Sequence, residues 1–184
     1  MNEIEIERLG NKGYIIKIKN EGKNILINPP KKQETGGGHT EITTIVQTDP
    51  KTIENAKTWG DTPILMKKQI KLRNDNDPRI INISEEEVYW LDDNKAIAIL
   101  PNKNAFLKIG PIKILYIFEE PPEQEEATYI DIALLTELQQ ERKLSKSKIY
   151  PQITITPEIE RVKIIRHLTQ IHIKEINKQK PQKT

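Results

Sequence analysis

Isoleucine at every second position is the feature of this chain that most restricts its fold. Ile4 and Ile6, then Tyr14, Ile16 and Ile18, then Ile25 and Ile27 put one row of side chains on a core face and the other in water. That is the mark of half-buried antiparallel strands. Turns separate the runs: Gly10-Asn11-Lys12-Gly13 and Asn20-Glu21-Gly22-Lys23 supply residues that tolerate positive φ. The pattern predicts a three-stranded meander over about 3–8, 13–19 and 24–28.

Asn28-Pro29-Pro30 ends the meander, and KKQETGGGHT, with no apolar period and three successive glycines, predicts a mobile loop. A strand over 42–47, a helix near 50–58 and a strand over 62–66 then read as a β-α-β unit. Asp49 and Pro50 mark the start of that helix. A second β-rich block follows in RIINI, EVYWL, KAIAIL, AFLKI and IKILYIF. Beyond Pro121, PPEQEEATY reads as an acidic loop or short helix, YIDIALL as a buried strand, and TELQQERKLSK as a helix capped by Thr136. QITIT predicts a further strand, and PEIERVKIIRHL a helix with proline at its head. Residues 169–176 fit an edge strand and equally a continuation of that helix, because Ile164, Leu168 and Ile171 share a helical face. One domain over 1–176, followed by a polar tail over 177–184, is the expected organisation of the 184 residues.

Charge excludes some partners. With 29 basic against 27 acidic residues the formal net charge is +2, too small to draw in nucleic acid non-specifically. No apolar run approaches the length of a membrane span, and the N-terminus lacks the apolar segment of a signal peptide. The absence of cysteine removes disulfides, thiolate zinc sites and cysteine nucleophiles, and a soluble, cytoplasmic protein is expected.

The order of these pieces resembles the small single-domain members of the metallo-β-lactamase fold. LGNKGYIIKI and NILINPP stand where that family has its Gly-His-x-Gly/Ser-Phe turn and its Ile-Leu-Ile-Asp-Pro hairpin. IVQTDPKTIE stands in the slot of Val-Leu-x-Thr-His-x-His-x-Asp-His. The resemblance, which runs from Ile4 to about Ile165, implies an α+β fold: a four-layer αββα sandwich with helices outside two β layers. The family's ligands in the motif fall on Asp49, Lys51, Ile53 and Glu54. Its bridging aspartate falls at Glu119-Glu120, and its late histidine on Glu158.

None of these positions holds a histidine. Zinc hydrolases depress the pKa of a metal-bound water to form hydroxide near neutrality, and zinc for that purpose takes imidazole nitrogens in fixed geometry. A pseudoenzyme without zinc, cofactor or catalytic residues is therefore expected, with a binding or structural role toward a protein partner or a second copy. The alternative is a metal-dependent hydrolase in which Asp49, Glu54, Glu120 and Glu158 hold a hard cation through oxygen. The bland reading of those acids is helix-terminal and surface charge.

Other candidate motifs carry less. His39, His167 and His172 have no ligand spacing, and Ser145 and Ser147 have no nearby base. The glycine triplet lacks the Gly-Lys-Ser/Thr of a phosphate loop. Trp59, Tyr89 and Trp90 read as core or rim packing, and the exposed apolar positions Val88 to Trp90 as the contact if two copies associate.

Overall fold

The computed structural model describes residues 2–35, 41–66, 80, 83 and 88–179. The meander forms as its alternation requires, with β1 (Asn2–Leu9), β2 (Gly13–Ile18) and β3 (Lys23–Ile27) antiparallel. Then come β4 (Thr44–Val46), a 3-10 turn over Pro50–Thr52, α1 (Ile53–Lys57) and β5 (Ile64–Leu65), with β3, β4 and β5 parallel. A second meander holds β6 (Val88–Asp92), β7 (Lys95–Ile99), β8 (Ala105–Ile109) and β9 (Ile112–Ile117). It continues in parallel through β10 (Thr128–Leu135) to β11 (Ile149–Ile155), with α2 (Gln140–Lys146) between them. The chain closes with β12 (Ile159–His167) and β13 (Gln170–Lys178). Residues 79, 81 and 82 of the expected RIINI strand, and the glycine loop with His39, lie outside the described residues.

Two sheets result among the described residues: β13-β12-β1-β2-β3-β4-β5 and β11-β10-β9-β8-β7-β6. Their facing surfaces are filled largely by isoleucine, with Ile4, Ile6, Ile16 and Ile164 of one sheet in the same buried cluster as Ile97, Ile112, Ile114 and Ile132 of the other. Each such side chain contributes about 1.5–3 kcal/mol on leaving water. Tyr14 and Tyr116 meet edge to face within this layer, centroids 6.2 Å apart at 81°.

The four-layer αββα sandwich expected from the resemblance is corrected by this architecture, which is mostly β. Only two α-helices occur among the described residues, of 5 and 7 residues, one to two turns each. The physical reason lies on the outside of the seven-stranded sheet. Glu5 faces Lys17 on β2 and Lys163 on β12 in register, and pairs with Lys19 at 2.6 Å and Arg161 at 3.6 Å. Burial disfavours the Glu5 carboxylate, but these cations outweigh it and hold its pKa below the ordinary value. Such a lattice, with Glu5 buried among partly exposed cations, offers no apolar face for a helical layer to cover. Among the described residues, helices cover two small apolar patches, Ala56 and Trp59 against Ile15, Leu26 and Ile45, and Leu144 against Ile130 and Ile149.

The expected helix at PEIERVKIIRHL is also corrected, because the segment is strand β12. Val162 and Ile164 alternate into the core opposite Ile6 and Ile4, satisfying the second edge of β1. Of the open segment 169–176, Thr169 lies in the turn and the rest is strand, part of β13, which reaches Lys178; His167 and His172 sit on β12 and β13. The outer edge of β13 carries Lys174, Lys178 and a bulge opposite Lys163–Ile164, features that discourage a further strand. Thr136 does not cap a helix. Its hydroxyl donates to the carbonyls of Ile117 (3.1 Å) and Phe118 (2.6 Å), and α2 begins at Gln140. No helix among the described residues is long and apolar enough to cross a membrane.

At one end the two sheets are stapled by charge. Lys95 is only 2% exposed, and its ammonium meets Asp92 Oδ2 at 2.9 Å, Asn94 Oδ1 at 2.9 Å and the carboxylate of Glu21. Lys23 binds the same Asp92 oxygen at 2.6 Å. Glu21 and Lys23 come from the β2–β3 hairpin and the others from β6–β7, so the cluster ties one sheet to the other. Hydrogen bonds from Lys23 and Lys95 and from the Asn94 N–H hold the Asp92 carboxyl well below the usual range. A depressed folded-state pKa contributes stability that is complete above the unfolded value of about 4 and is lost as pH falls below it. In urea unfolding, Lys95→Met is expected to cost about 3 kcal/mol at pH 7. Asp92→Asn should be the more damaging at pH 7 than at pH 3, and equal losses at the two pH values would refute the staple.

Candidate functional site

Beyond the carboxyl ends of β3 and β4 lies a cleft of about 420 Å³, walled by the β1–β2 turn, Asn28–Pro30, Asp49, Thr52 and Phe118. Asn28 organises it. Directly after β3 its backbone turns left-handed (φ 43°), a conformation that asparagine tolerates better than most residues. Its amide then reaches across to β4 and β9. Oδ1 accepts from the N–H groups of Thr48 (2.8 Å) and Asp49 (3.2 Å), while Nδ2 donates to Thr48 Oγ1 (2.7 Å) and the Tyr116 hydroxyl (3.0 Å). Tyr116 passes its own proton to the Lys12 carbonyl at 2.7 Å, fastening the β1–β2 turn to the same clasp. Gly13 must be glycine here, since a Cβ would sit 2.5 Å from the Leu9 carbonyl oxygen and 2.8 Å from that of Asn28.

Tyr14 closes the neighbouring side, donating to the Leu135 carbonyl beside Arg8. Burial pushes the Tyr14 hydroxyl up to about 12, with Arg8 opposing, and raises Tyr116 as well. Both phenols therefore stay protonated at neutral pH and serve as donors rather than as bases.

Two ammonium groups flank Phe118, which lines the cleft. Lys12 Nζ lies 4.5 Å and Lys103 Nζ 5.1 Å from its ring centroid, within cation–π range. Lys103 is presented by the β7–β8 turn, where Asn102 and Lys103 are both left-handed at φ 62°. Each ammonium also meets a carboxylate, Lys12 with Glu137 at 3.4 Å and Lys103 with Asp49 at 3.6 Å. Gln47 supports the floor, donating to the Asp49 carbonyl (2.6 Å) and to Thr52 Oγ1 (2.8 Å). Its Oε1 is buried without a hydrogen-bond partner, a local cost beside the cleft.

The expected ligand-slot residues do not converge. Only Asp49 reaches the cleft, and its carboxylate accepts from the Lys51 N–H at 3.1 Å, capping the 3-10 turn. Lys51 is exposed, and Ile53 packs on the Trp59 cluster. Glu54 pairs with Lys57 at 3.0 Å on the surface, and Glu120 with Lys143 at 2.6 Å. Glu158 is exposed in the turn before β12. Among the described residues no three His, Asp or Glu side chains are grouped to hold one ion.

Asn28, Lys12, Lys103, Tyr116 and Phe118 were missed from sequence. The one legible signal was Asn28-Pro29-Pro30 closing a strand, a place where an αL asparagine is common. Compared with known proteins, the chain matches no family model, no curated protein and no solved structure.

Asn28→Ala removes four hydrogen bonds and places alanine in a left-handed turn, for an expected loss of about 3 kcal/mol by urea denaturation. A loss below about 1 kcal/mol would show that the clasp does not hold the cleft.

Proposed function

We propose that this protein acts by binding, without zinc-dependent hydrolysis. One observation carries this reading: the positions where the metallo-β-lactamase resemblance puts metal ligands are engaged in other work or face solvent. Asp49 is a cap and ion-pair partner, Ile53 a packing residue, and Glu54 and Glu120 partners of surface lysines. Ancestry within that family is part of the proposal, supported by the strand, turn and helix at 44–57 in the place of its metal motif. A cytoplasmic location is supported by the absence of cysteine, and a role apart from nucleic acid by the near-neutral charge.

Metal analysis tests the proposal directly. Purified protein is expected to carry no stoichiometric zinc, to melt at the same temperature with and without zinc, magnesium or calcium, and to leave phosphoesters, lactams and lactones intact. Metal-stimulated turnover that disappears in Asp49→Asn would replace it with carboxylate-based hydrolysis.

Self-association through β6 is one form the binding takes in this proposal. Trp90, 58% exposed on β6, the outermost strand of its sheet among the described residues, is the residue that supports it. Tyr89 is unsuitable as a probe, because its hydroxyl donates to the Met66 carbonyl and joins the rims of the two sheets. In sedimentation velocity a dimer is expected, with Trp90→Glu returning it to monomer at an unchanged melting temperature. A dimer indifferent to Trp90→Glu would move the contact elsewhere.

A further inference from the structure

At the beginning of β10 and β11 lies a surface that neither the core nor the cleft uses. Tyr129 and Tyr150 are partners in the parallel register of these strands, with ring centroids 5.6 Å apart and planes tilted by 31°. They are 72% and 41% exposed. Two large rings held side by side in water stand out in a chain with only 5% aromatic residues. Tyrosine is also the side chain that recognition surfaces favour, because it offers wide apolar area at low entropic cost together with a hydroxyl.

The rings border a groove of about 480 Å³ whose other walls include Pro111, Pro151, Lys113 and Asp131. Asp131 is anchored there, Oδ2 accepting from the Lys113 N–H at 2.7 Å and Oδ1 from Gln152 Nε2 at 3.2 Å. Each oxygen keeps acceptor capacity for an incoming donor. The segment leading into β10 adds exposed Glu123, Glu125 and Glu126.

We propose that this groove binds a proline-rich, basic peptide segment in the polyproline II conformation. Such a helix has flat pyrrolidine rings to stack on tyrosine, and solvated carbonyls that can accept from phenolic hydroxyls. Being extended before it binds, it loses little entropy on docking. Its period of three residues places every third side chain on one side, so arginines at that spacing face Asp131 and the acidic approach to β10 while the prolines meet the rings. The proposal concerns a surface separate from the cleft and does not depend on what the cleft holds.

Titration calorimetry and amide NMR of the full chain test it with a synthetic peptide of repeated Pro-Pro-Arg triplets. The controls are Gly-Ser-Arg repeats, which keep the charge without the helix, and Pro-Pro-Glu repeats, which keep the helix and reverse the charge. Expected are a Kd between roughly 10 μM and 1 mM for the first peptide and none measurable for the controls. Tyr129→Ala should weaken binding about tenfold, and Asp131→Asn less, with a shallower salt dependence. If Tyr129→Ala fails to fold, shifts in the wild-type protein decide, and they must centre on Tyr129, Tyr150 and Gln152. Failure to bind at about 1 mM overturns the proposal. So do equal affinity for Gly-Ser-Arg repeats, shifts centred elsewhere, and saturation of the same tyrosines by a soluble oligosaccharide but not by the peptide.

Discussion

Burying isoleucine from both sheets between them forces the two sheets to lie face to face, and the remaining features adapt to that. Ile4 and Ile6 enter the shared layer only because β1 is paired on both edges, by β2 and by β12. The end of the chain therefore completes the sheet that its beginning starts. A long-range closure of this kind must be entropically costly, and the apolar area it covers offsets that cost.

Polar chemistry is arranged around the layer by the same logic. Lys95 and its partners bind the sheets at one end, where burial of an ammonium is tolerated because the side chains of Asp92, Asn94 and Glu21 meet it. Toward the cleft, Asn28, Thr48 and Tyr116 do so with neutral groups that satisfy one another. The outside of the seven-stranded sheet is left to paired charges, which explains why the helices remain short.

The cleft shows how little the order of strand, turn and helix says about the chemistry of a site. A strand running into Asp49 and Pro50 opens a short turn and helix beside a crevice, as expected from 42–54. What fills the crevice is a hydrogen-bonded clasp and two lysines over an aromatic ring rather than a set of imidazoles. Fold and site chemistry are separable quantities, and the site has to be read from its own side chains.

Local pattern was enough for the strands of both meanders, since alternation and turn residues act over a few positions and survive any tertiary context that keeps one face dry. Residue identity alone also showed that no histidine stands at Asp49, Lys51, Ile53, Glu54, Glu120 or Glu158, the positions singled out by the proposed resemblance. Strand β12 was illegible because Val162, Ile164 and Ile165 satisfy helical and extended periods alike. The choice fell to an unpaired strand edge more than 150 residues earlier. The clasp was hidden for the same reason: Asn28 and Tyr116 are 88 residues apart, and their hydrogen bond exists only once two sheets face each other. Sequence by itself determined that the alternating segments of both meanders were extended. Tertiary packing alone decided what each extended segment paired with and which polar groups met, because those contacts draw their free energy from partners that no local window contains.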